Sequence, residues 1–162
     1  MGHDVEAWKD LFVASAGAAA ALAGLVFVAI SINIERILQY AWLPSRALRT
    51  VMLLIGVVVA CVFGLVPQST DALGVELLAT GAILGAVLVR SALAHRGPRE
   101  LTHTGPVEQI GIEVVGTIPF AIGGLTLLIG SGGGLYWVLA GIVCAIVGAV
   151  LNAWVLMVEI LR

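Results

Sequence analysis

The sequence is short of charge. Charged residues make up 11% of its 162 positions, and Lys9 is the one lysine. With a net charge of −2 and no basic cluster, nucleic acid and other polyanions are excluded as partners. Its two cysteines, Cys61 and Cys144, both lie in apolar runs, where oxidants and metals have little access, and they read as packing residues. No histidine falls within an apolar run, which excludes the axial pairs of a membrane haem protein. No Ser and His share a depth suited to intramembrane hydrolysis. The start of the chain, MGHDVEAWKD, lacks the basic n-region and cleavage site of a signal peptide, so the first apolar segment is expected to stay in the mature protein.

What the sequence has is hydrophobic length. Apolar residues reach 60% and the mean hydropathy is +1.11, outside the range of soluble domains. Five segments, at about 11–34, 47–66, 75–94, 107–130 and 135–158, reach the roughly 20 residues that a helix needs to cross a bilayer. Short connections separate them: LPSR, VPQSTD, HRGPRELTHTGP and SGGG. Pro44 and Pro106 suit first helical turns, and Ser69 or Asp71 suits an N-cap. The expected fold is an all-α integral membrane protein, one compact bundle of five transmembrane helices over residues 1–162 with no soluble domain.

Basic residues set the expected orientation. Arg36, Arg46 and Arg49 flank the first connection, Arg90, Arg96 and Arg99 the third, and Arg162 ends the chain, whereas Lys9 stands alone on the other side. The excess of Lys and Arg in cytoplasmic loops then places the N-terminus outside and the C-terminus in the cytoplasm. Trp8, Tyr136 and Trp137 fall at the outer interface, and Tyr40, Trp42 and Trp154 near the inner one, as interfacial aromatics should.

Small residues predict where helices touch, because in lipid close packing replaces the hydrophobic drive. The first span carries Gly17, Ala21, Gly24, Val28 and Ser31 along one face; the third has Gly81 and Gly85; the fifth has Gly141, Ala145 and Gly148 leading to Asn152. These stripes suit packing within the bundle and suit equally a homo-oligomer or a contact with another membrane protein.

Polar residues inside the spans are the candidate site. Glu113 lies about 9 Å into the fourth span, on a face with Gln109, Thr117, Phe120 and Gly124. A carboxylate at that depth faces the bundle interior or water. Two readings stand open: a buried ion pair with Arg90 at matching depth, or the hydrated mouth of a proton or cation route shared with Asn33, Asn152 and Glu35. The outer half of the spans shows no polar residue of comparable strength. Pro119 frees the carbonyl of Val115 and, with Gly116, Gly123 and Gly124 close by, predicts a kink or slight unwinding, either a fixed bend or a hinge.

No metal or other cofactor is expected. His95, Glu100, His103 and Glu108 match no zinc spacing, and GSGGG has neither the lysine of a phosphate loop nor a nucleophile elbow. The expectation is a protein that is not an enzyme.

The run LFVASAGAAAALAGLVFVAISINIERIL, followed by LPSRALRTVMLLIGVVVACVFGLVPQ and GVELL, resembles a group of small actinobacterial membrane proteins. Some of these carry the label of modulators of the FtsH membrane protease. The resemblance covers roughly the first half of the chain and assigns no role to any residue. It implies a bacterial plasma membrane and a role exerted through another membrane protein.

Overall fold

A computed structural model describes residues 3–39, 43–94 and 106–160, without the side chains of Ala94, 106–110 and 159–160. After a 3-10 turn at Glu6–Trp8 come α1 (Lys9–Ile32), α2 (Ile34–Leu38), α3 (Leu43–Leu65), α4 (Thr70–Ala94), α5 (Pro106–Ile129) and α6 (Leu135–Ile160). All but α2 are long and apolar enough to cross a membrane. Among the described residues there is no strand.

The helix boundaries follow local chemistry. Asn33 leaves the helical range at φ −105° and ψ 15°, and its side-chain amide donates to the carbonyl of Ala29 at 2.9 Å. Such a bond back to the preceding turn competes with the ladder and ends α1 just short of the expected boundary. The Ser69 hydroxyl accepts from the backbone N–H of Ala72 at 3.2 Å and caps α4, which starts five residues earlier than expected. Between α5 and α6, Gly130, Gly132, Gly133 and Gly134 all have positive φ, a conformation that costs glycine little and other residues much. Tyr40, Trp42, Arg96, Arg99 and Arg162 lie outside the described residues.

α3, α4, α5 and α6 form a ring in which each packs on the next and α6 returns to α3. Glycine sets the spacing. A Cβ at Gly81 would stand 2.6 Å from the backbone nitrogen of Ala121, one at Gly85 3.0 Å from Thr117 Oγ1, and one at Gly124 would collide with the backbone of Gly74 and Leu78. On α6, Gly141 lies against the ring of Phe120 and Gly148 against Ile112. The falling register of these pairs makes α4, α5 and α6 successive antiparallel neighbours at close approach. α5 runs through Pro119 as one helix. The segment is held on both sides, by Gly81 against Ala121 and by Phe120 against Gly141.

α1 lies outside the ring, on α3. Phe12, Ser15 and Ala19 are its buried residues, and Phe12 fills the space left by Gly64. Of the two uses open to the small-residue stripe of α1, packing within the bundle is not the one made. Gly17, Ala21, Gly24, Val28 and Ser31 are exposed, and a Cβ at Gly17 or Gly24 would meet nothing within 4 Å. At 100° per residue that stripe is on the far side of α1 from Phe12, Ser15 and Ala19, so a bulky aromatic, not the glycines, chose the docking face. Near the Gly130–Gly134 turn, Trp8 meets Tyr136 edge to face with ring centroids 4.9 Å apart. Beyond Ala19 no residue of α1 is fully buried, but Leu22, Ala23 and Val26 pack half-buried against the core and Ile30 against Ile37, Leu43, Ala47 and Leu156.

Gly81→Leu and Gly124→Leu should each destabilise the fold by about 2 kcal/mol or more through overpacking, whereas Gly24→Leu should change it by less than about 0.5 kcal/mol as an open-surface substitution. Reversible unfolding in detergent micelles measures all three. Equal effects at Gly81 and Gly24 would contradict this arrangement.

Candidate functional site

The α2 end of the ring encloses a polar layer. α3 begins at Leu43, one turn earlier than the expected 47, which brings Arg46 and Arg49 into its first two turns. Their positions, with Thr50, Leu53, Val57 and Ala60, define one buried face of α3. Arg46 is 1% exposed and Arg49 3%, so neither belongs to a solvated loop.

Arg49 is the partner of Glu113. Its Nε donates to Oε1 at 2.6 Å, a charge-assisted bond, and the carboxylate is 1% exposed. Arg49 Nη1 also reaches the Ser45 hydroxyl at 3.5 Å. Arg46 lies close enough to add its field to that of Arg49 at the carboxylate. Glu113 Oε2 accepts no hydrogen bond from a described residue. The Thr117 hydroxyl donates to the Glu113 carbonyl at 2.7 Å, and Thr50 donates likewise to the Arg46 carbonyl at 3.1 Å, so both hydroxyls are satisfied within their own helices.

The expected Arg90–Glu113 pair is therefore corrected. Gly85 faces Thr117 on α5, and Arg90, five residues further, points about 140° away round α4. It is exposed. Matching depth on adjacent helices was not enough; the partner had to sit on an inward face, and α3 supplies it from across the ring.

The other candidates do not converge on Glu113. Asn33 is half-buried at the end of α1, Glu35 is exposed on α2, and Asn152 is buried on the interior stripe of α6 that includes Ala145 and Ala149. No hydrogen bond among the described residues joins any of them to Glu113. Gln109 belongs to α5, but its side chain lies outside the description, as do His95, Glu100, His103 and Glu108. Among the described residues no group of His, Cys, Asp and Glu suits a metal.

A second carboxylate stands towards the opposite end of the ring. Glu76 is six residues into α4, half-buried, and its Oε2 accepts from Gln68 Nε2 at 2.7 Å. Gln68 Nε2 also donates to the Phe63 carbonyl at 2.9 Å. Glu76 already fell within the expected span of 75–94, at its edge; with α4 starting at Thr70 it lies well inside the helix, and the outer half is not devoid of charge. Its spacing from Leu73, Leu77 and Leu84 was the available signal.

No family model, curated protein or solved structure matches the chain.

Arg49→Met and Glu113→Leu should each destabilise by about 3–5 kcal/mol, because each leaves an uncompensated charge in the interior. The double variant should recover most of that loss. Arg90→Met should be close to neutral. A double-mutant cycle by unfolding in micelles gives the coupling, and additive losses at Arg49 and Glu113 would break the pairing.

Proposed function

We propose that this chain is a multi-span membrane protein that acts without catalysis, through assembly with further copies of itself or as an accessory subunit of a membrane complex. One observation carries the reading. The glycines of α4 and α6 are occupied by their own bundle, whereas Gly17 and Gly24 on α1 face outward with nothing against them. In lipid, a small-residue face is useful because it lets a second helix approach closely. The four-helix ring makes no use of this face.

The competing idea of a proton or cation route with its mouth at Glu113 has less support. The carboxylate is enclosed and held by Arg49, and no hydrogen bond among the described residues joins it to Asn33, Glu35 or Asn152. The bland account of a charge within a span, neutralisation by a partner, explains Glu113 without transport.

The setting we propose is a bacterial plasma membrane, with the N-terminus outside and the C-terminus in the cytoplasm. Arg36 and Arg90 are exposed towards one end of the bundle and Lys9 stands at the other, which favours that orientation.

Light scattering after extraction in mild detergent should find an oligomer or a reproducible complex. Gly24→Leu should shift it to smaller mass without lowering the stability of the fold. A strictly monomeric chain with no co-purifying protein would end the assembly reading. For orientation, single cysteines placed at Ser131 and His103 should react with an impermeant maleimide from opposite sides of the membrane; labelling of both from one side would refute it.

A further inference from the structure

The polar layer holds two buried groups that the described residues leave unsatisfied. Glu113 gives Oε1 to Arg49, but Oε2 receives no donor from a described residue. Asn152 on α6 is 4% exposed and makes no hydrogen bond with a described residue. A buried polar group without a partner costs about 1–3 kcal/mol, so each of the two calls for one.

Helix register brings the two groups to one level. Gly116 of α5 lies against Ala145 of α6 and Gly148 against Ile112, as antiparallel neighbours do. Glu113 stands three residues from Gly116 towards the α2 end and Asn152 seven residues from Ala145 in the same direction, so their Cα levels differ by about 6 Å at the helical rise. Side chains lean towards the N-terminus of their own helix. For Glu113 that is towards the α2 end and for Asn152 away from it, so both lean into the interval between them. Both also face inward: at 100° per residue Asn152 returns to within about 20° of Ala145, and Glu113 is about 60° round α5 from Gly116. α3 brings Arg46, Arg49 and Thr50 to the same level, because Leu156, one turn beyond Asn152, packs with Leu43 and Ala47.

Charge decides what fills the interval. A metal or ammonium cation at Oε2 would face Arg49, already bound to the same carboxylate, and would lie in the field of Arg46. An anion would stand against Oε2 itself. The group required is neutral, donates to a carboxylate and bonds an amide at the same time. Water does all three, and a buried water holds about two to four polar partners. We propose that one enclosed water binds between Glu113 and Asn152, donating to Oε2 and bonding the Asn152 amide. Asn152 thereby joins α6 to the Arg49–Glu113 pair, and the polar layer links three of the four ring helices. The site needs neither a second copy of the chain nor a path through the bundle.

The test is water-edited solid-state NMR of the full chain in liposomes, with isotopic carbon in glutamate and leucine. In wild type, magnetisation from water protons should reach the Glu113 carboxyl carbon about fivefold faster than the methyls of buried Leu53, as bound water requires. Asn152→Leu, which removes one anchor of the water, should slow that transfer about threefold and leave exposed Glu35 unchanged. Transfer to Glu113 as slow as to Leu53 in wild type would overturn the proposal, as would equal transfer to Glu113 in wild type and Asn152→Leu. A second measurement needs no variant and decides the matter if Asn152→Leu does not fold. With isotopic nitrogen in asparagine, the dipolar coupling between the Asn152 side-chain nitrogen and the Glu113 carboxyl carbon should be weak, as an intervening molecule makes it. A strong coupling, the mark of a direct amide–carboxylate bond, would leave the water no place and overturn the site.

Discussion

A carboxylate buried in an apolar helix bundle has to find a cation, and the bond between Arg49 and Glu113 is the constraint around which this ring closes. The two residues belong to α3 and α5, which are diagonal and not adjacent in the ring. For the guanidinium to reach across at 2.6 Å, the intervening helices must come close enough to shrink the diagonal. The glycines on α4 and α6 provide that approach, Gly81 and Gly85 on one side of α5 and Gly141 and Gly148 on the other. Electrostatics and small-residue packing are therefore one arrangement. Neither works alone: without the glycines the pair would be held apart, and without the pair the closely packed ring would enclose a bare charge.

A buried ion pair contributes little net stability, since the desolvation of two charges offsets most of their attraction. What it contributes is register. A shift of α3 by one turn along its axis, about 5.4 Å, would carry Arg49 out of reach of Glu113. Gly56 against Leu84 and Gly64 against Phe12 already resist that shift sterically. The ion pair penalises that alternative, as Gln68 on Glu76 does for the α3–α4 connection at the other end of the ring.

The five apolar helices were legible because hydrophobic length needs no tertiary information, and the glycine contacts of α4 and α6 were legible because the spacing itself forms the contact surface. The partner of Glu113 was not. An arginine near a helix start answers equally well to the bias that places basic residues in cytoplasmic loops and to a need inside the bundle, and a boundary four residues late moved Arg46 and Arg49 to the wrong side of that choice. Their recurrence with Thr50, Leu53 and Val57 at helical spacing held the information. The docking face of α1 was hidden for a different reason. Alanine and glycine surround that helix on nearly every side, so a small-residue stripe singles out no direction, and the direction came from Phe12 fitting against Gly64.

That choice of face makes α1 different in kind from the rest of the bundle. The ring of α3 to α6 closes on itself and holds the Arg49–Glu113 pair between its own helices, with α1 added on the outside of α3. α1 buries Phe12, Ser15 and Ala19, meets α6 through Trp8 and Tyr136, and then packs less deeply, with Leu22, Ala23 and Val26 half-buried against the core and Ile30 against Ile37, Leu43, Ala47 and Leu156. A helix on the outside of a ring keeps its far face as surface, and in a bilayer that surface has lipid or protein as its only possible neighbours. The ring fixes one face of α1 and leaves the opposite face, with Gly17 and Gly24, to be covered by whatever the membrane supplies.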